Sequence, residues 1–177
     1  MPILHKEELF SKITTRARLL SMKSHLILIL LSLMFSLQLA AATEINPFTT
    51  DNCTMWREGT NQKPELWKHC CIEHDLFFWA GGTYKERETA DMDLKKCIEN
   101  TGAKTQANMM YLAVVLGKYS PIKFSSRKWG NAWPWWKNYQ KIKRDQIDLL
   151  LREAALSSQI SPSLYEKFRL QLLSRQE

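Results

Sequence analysis

The sequence predicts a mostly α-helical domain held together by disulfides. Three observations carry that reading. Apolar residues recur at three- and four-residue spacing along several stretches, the period of an amphipathic helix. The short break at Gly81-Gly82 makes the two stretches beside it antiparallel neighbours. The four cysteines, Cys53, Cys70, Cys71 and Cys97, fall within 45 residues. The 177 residues suit one modest domain plus a targeting segment. With 25 Lys+Arg against 18 Asp+Glu and 45% hydrophobic residues, the chain is basic but no disordered polyelectrolyte. It has no internal repeat.

The N-terminus reads as an export signal. Lys23 precedes an apolar run from Leu26 to Leu39, and Ala40 and Ala42 then supply an Ala-x-Ala site. Met22 begins this pattern, so it is the expected start. Residues 1–42 are therefore expected to be an N-terminal extension and cleaved signal peptide. The destination would be secreted or periplasmic. An N-terminal membrane anchor is the alternative, but the run is short against the ~20 residues of a span. An even cysteine count in an exported chain points to disulfides. Adjacent helical cysteines diverge by ~100°, which rules out Cys70–Cys71 and leaves two pairings.

Pro64 suggests the start of a first helix. Trp67, Cys70, Cys71, His74 and Phe78 would form its buried face, and Gly81-Gly82 its end. A second helix is expected from about Tyr84 to Asn100. Its inward stripe would be Arg87, Ala90, Asp91, Leu94, Cys97 and Ile98. Antiparallel packing sets an early cysteine of the first helix near a late cysteine of the second, and His74 near Asp91. A histidine held by a carboxylate at one ring nitrogen keeps the other free and more basic, as a general base requires. Asp75 would point towards the segment before the helix. The plainer reading makes His74 a satisfied core residue, with Asp91 capping a chain end or pairing with Arg87.

The stretch CCIEHD, Cys70–Asp75, resembles the Cys-Cys-x-x-His-Asp helix of secreted phospholipases A2. DMDLKKC, Asp91–Cys97, is similar to that family's second long helix, and DNCT, Asp51–Thr54, stands where the family has its calcium loop. The resemblance covers about residues 50–100 and is closer in style to short bacterial members than to the disulfide-dense animal enzymes. It implies two disulfide-linked antiparallel helices of phospholipase A2 type, with Cys53–Cys71 and Cys70–Cys97 as the bridges. His74 would activate a water as general base and Asp91 would orient it. Asp75 would bind Ca²⁺, with carbonyls of Asn52, Thr54 and Trp56, since this hard cation takes oxygen ligands. The ion would polarise the sn-2 ester carbonyl of a glycerophospholipid. Two departures stand out. The loop has only Gly59 where the family is glycine-rich. Phe78 occupies a position where the family usually has a tyrosine steadying the aspartate, for which Tyr84 could substitute.

Three other readings compete. A zinc site could use His69, Cys70, Cys71, His74 and Cys53, though no C-x₂-C spacing is present. Cys70 and His74 could form a nucleophilic pair, but export favours oxidised sulfur. The fold could also survive as a catalytically inactive lipid- or partner-binding module.

The domain is expected over 43–138, with amphipathic helices over 139–177. Ala107, Met110, Tyr111, Val114 and Val115 mark a third core helix. From Gly117 to Arg144 the chain has eight basic residues, no acidic one and four of its seven tryptophans. Aromatic rings and cations suit a membrane interface. Peripheral lipid contact is therefore assigned to Trp133, Trp135 and Trp136. The same composition suits nucleic acid, but the export signal argues against it. Helices are expected from about Gln140 to Leu156 and from Ser161 to Ser174, the second with Ser163-x-x-Glu166 as a capping box.

Overall fold

The computed structural model describes residues 45–118, 128–134 and 139–175. The expected signal peptide, Trp135 and Trp136 lie outside them. Residues from Ile45 onward form one compact unit. The described residues contain five helices and no strand: α1 Lys68–Ala80, α2 Tyr84–Asn100, α3 Lys104–Gly117, α4 Arg144–Leu156 and α5 Pro162–Ser174. None of these helices is long and apolar enough to cross a membrane.

α1 begins four residues later than Pro64 suggests. The Trp67 N–H donates to Glu58 O at 2.9 Å, so the chain makes turns before the helical ladder starts. Gly59 allows this close approach. A Cβ there would stand 2.0 Å from Lys63 O and 2.6 Å from Leu66 N, which no side chain tolerates. At the other end Gly81 has φ 81° and Gly82 φ 137°, so the glycine pair turns the chain sharply into α2. Thr83 then caps α2. Its hydroxyl accepts from Glu86 N while Glu86 accepts from Thr83 N, a reciprocal capping box.

α1 and α2 run antiparallel, as the turn predicts: Cys70 bonds Cys97, and further along α1 His74 meets Asp91 earlier in α2. α3 packs on α2 through Ala107 and Met110, but Met109, Leu112 and Leu116 are exposed. It is therefore a one-sided layer rather than a fully covered core helix.

The C-terminal helices belong to the main core. Ile147, Leu150, Phe168 and Leu172 are buried with Leu76, Phe77 and Trp79 of α1. α4 begins at Arg144, later than expected. The cap of α5 is Ser161, whose side chain accepts from Leu164 N, while Glu166 pairs with Arg169 instead. A second cluster gathers Cys53, Trp67, Cys70, Cys71, Leu94, Ile98, Ala107 and Met110 around the disulfides. On α1, His74 falls between the residues that feed these two clusters.

The lipid contact assigned to Trp133 is corrected. This ring is only 3% exposed, and its Nε1 donates to Ala80 O at 2.8 Å. Trp129 is buried likewise, with Nε1 donating to Gly82 O at 2.8 Å. Both indoles satisfy carbonyls at the end of α1 and in its turn. That explains why a polar-edged aromatic is buried there.

Candidate functional site

Four sulfurs fix the frame of the site. Cys53–Cys71 ties the loop before α1 to that helix, and Cys70–Cys97 ties α1 to α2, with Cα separations of 5.1 and 5.6 Å. No cysteine is free. The zinc and thiol-nucleophile readings need thiolates and therefore fall. His69, Cys70 and Cys97 do place their ligand atoms within 4.8 Å of one another, but both sulfurs belong to one bridge.

α1 and α2 bring His74, Asp91 and Asp75 together. His74 Nε2 donates to Asp91 Oδ1 at 2.9 Å, and both side chains are buried, Asp91 to 1% exposure. His74 Nδ1 lies 3.9 Å from Asp75 Oδ1. The imidazole thus has one nitrogen committed and the other turned to the Asp75 side. Burial is the largest influence on its pKa and lowers it. The contacts with Asp75 and then Asp91 outweigh burial and raise it to about 9. At 3.9 Å the Asp75 contact is a charge contact, so the short bond to Asp91 is the firmer of the two.

Asp75 has a partner that sequence reasoning missed. Thr50 Oγ1 donates to Asp75 Oδ2 at 2.5 Å, and Asn52 N donates to the same hydroxyl at 2.9 Å. Gln159, between α4 and α5, reaches Thr50 O at 3.4 Å. Asp75 does face the segment before α1, as its helical phase requires. Asn52 and Met55 adopt left-handed backbone, φ 62° and 58°, so the loop bends without glycine at those points. Thr54 and Trp56 make their side-chain hydrogen bonds elsewhere, to Asp51 and Gln106.

For a calcium ion the fit is one of donor chemistry. The Asp75 carboxylate and Thr50 hydroxyl are hard oxygen donors, partly open at Asp75 (23% side-chain exposure), beside a loop pinned by Cys53–Cys71.

Tyr84 does not hydrogen-bond Asp91. Asp91 Oδ2 has no hydrogen-bond partner among the described residues; Lys118 Nζ and Arg87 Nε face it at 3.8 and 4.0 Å. Phe78 packs against His74, ring centroids 5.8 Å apart, and lies under the Arg87 guanidinium. Arg87 was visible in the sequence as an inward cation one turn from Asp91. Lys118 carried a weaker signal, a cation just past an apolar helix.

Compared with protein-family models, with curated proteins and with solved structures, the chain matches none.

Proposed function

We propose that the chain is a calcium-dependent ester hydrolase of phospholipase A2 type, cleaving the sn-2 ester of glycerophospholipids. The observation that carries this reading is the 2.9 Å bond from His74 Nε2 to Asp91, with His74 Nδ1 left on the side of Asp75. In this mechanism Nδ1, neutral once a cation at Asp75 offsets the negative charge that raises its pKa, takes a proton from water as that water attacks the ester carbonyl. Asp91 keeps the ring oriented and compensates the imidazolium that forms. The proton then passes to the leaving alcohol. Asp75 would hold the calcium ion, with the carbonyls of Asn52, Thr54 and Trp56. When bound, the ion supplies positive charge to a developing oxyanion.

Three features support the setting. Four paired sulfurs suit an oxidising compartment, in line with an export signal in residues 1–42. Met109, Leu112 and Leu116 expose an apolar edge of α3 suited to lipid contact. The exposed cations Lys128, Lys141, Lys143 and Arg144 favour anionic lipid.

The second reading, an inactive lipid- or partner-binding module, draws on the Thr50–Asp75 bond, which already engages the proposed metal ligand. Product analysis separates the two readings. Oxidised wild-type protein should release the sn-2 fatty acid and the matching lysophospholipid from vesicles, and His74→Ala protein should release neither. Lipid binding without release by the wild type would favour the second reading.

A further inference from the structure

The two oxygens of Asp91 are treated differently. Oδ1 accepts from His74, whereas Oδ2 is buried without a hydrogen bond among the described residues. Two cations face Oδ2: Lys118 Nζ at 3.8 Å and Arg87 Nε at 4.0 Å. Both are withdrawn from solvent, with side-chain exposures of 9% and 11%. Arg87 Nε is itself buried without a hydrogen-bond partner among the described residues. Each cation is steadied by aromatic rings. Lys118 Nζ lies 5.1 Å from the centre of the Tyr84 ring. Arg87 lies 5.1 Å from the centre of the Phe78 ring and donates from Nη1 to the Tyr139 hydroxyl at 3.2 Å. Tyr84 and Tyr139 pack edge to face.

We propose that Lys118 and Arg87 are positioning residues for the His74–Asp91 pair, holding the far oxygen of Asp91 and compensating its charge while His74 is neutral. The inference rests on His74 as the general base. Such a base alternates between neutral and protonated forms. While His74 is neutral, the group bonded to Asp91 carries no charge. A buried carboxylate in that state would be an uncompensated anion, which is strongly unfavourable. A neutral hydroxyl would fix the orientation of Asp91 but not offset its charge. Two cations do both. Neither needs hydrogen-bond distance for this, because the ionic attraction is long-ranged in a poorly solvated site. Lys118 directly follows α3, so the position of that helix sets where its charge sits.

The test compares Lys118→Met, which keeps most of the stem, with Lys118→Arg, which keeps the charge. Arg87→Met is the second site, and Lys118→Gln replaces Lys118→Met if that variant fails to fold by circular dichroism. Two readouts apply: kcat and KM for fatty-acid release, and the proton resonance of His74 Nε2–H in its bond to Asp91. Lys118→Met should lower kcat about tenfold with KM unchanged and should displace the resonance; Lys118→Arg should restore both. Unchanged kcat and resonance in folded Lys118→Met and Arg87→Met proteins would overturn the proposal. So would a loss that Lys118→Arg does not rescue. If the wild type hydrolyses no ester, the hydrolase reading fails and the resonance alone decides. Displacement in Lys118→Met with recovery in Lys118→Arg then upholds the positioning role, and an unmoved resonance overturns it.

Discussion

His74 on α1 and Asp91 on α2 meet through a single 2.9 Å bond, buried beside the bridge that joins the same two helices. Replacing His74 by Ala removes the proposed base while leaving both bridges intact. Hydrolysis should fall by at least about 10²-fold, the typical contribution of a general base, with the helical circular dichroism unchanged. Asp91→Asn should be milder, because a less firmly oriented imidazole still accepts protons part of the time. Equal losses in the two variants would argue against separate roles of base and orienter.

Truncating Asp91 should also cost stability. Asp91→Ala leaves Arg87 and Lys118 as buried cations without their anion. Removing one partner of a buried ionic cluster costs about 3 kcal/mol or more. Urea denaturation of the calcium-free protein measures this directly, and a change below ~1 kcal/mol would mean that the cations find other partners.

Stability of the calcium-free protein should depend on pH through His74. Its folded pKa, about 9, lies above the ordinary value of 6.5. A raised pKa means that the folded state binds the proton more tightly. The resulting stability is fully present below about pH 6.5 and is lost as pH rises through about 9. The loss is on the order of 3 kcal/mol. His74→Ala protein should lack this component, which thermal melts between pH 6 and 10 on both proteins would reveal. Matching pH profiles would show that the imidazole is not held this way.

Trp133 should behave as a core residue. Trp133→Ala removes a buried ring and its bond to Ala80 O, at a cost of about 3–5 kcal/mol. Trp133→Phe keeps an aromatic ring in the core but loses the hydrogen bond and part of the packing, so it should cost less than Trp133→Ala. Vesicle binding by folded Trp133→Phe protein should match the wild type. A drop in binding at unchanged stability would return this ring to the lipid surface.

Much of the central geometry was legible in the sequence because helical phase fixes it. Cys70, Cys71 and His74 share the inner side of α1, and Asp91, Leu94 and Ile98 that of α2. Gly81-Gly82 then dictates how the two faces meet. The disulfide pairing was not decided by phase, which left two schemes, and only the resemblance chose the one observed. Helix starts were less legible. Pro64 suits a first turn, but long-range backbone bonds such as Trp67 N to Glu58 O delay α1 to Lys68. Thr50, lying before Cys53 outside any periodic element, gave no sign that it would meet Asp75. The burial of Trp129 and Trp133 was hidden for a related reason. Their partners are carbonyls around the end of α1, which no local pattern announces.

The most direct measurement is the initial rate of fatty-acid release from phospholipid vesicles by the oxidised protein, with calcium and with a chelator. Release should require calcium, recover when calcium is restored, and vanish in Asp75→Asn protein under both conditions. Equal release with and without chelator would contradict a calcium ion held at Asp75, and no release under either condition would contradict hydrolysis itself.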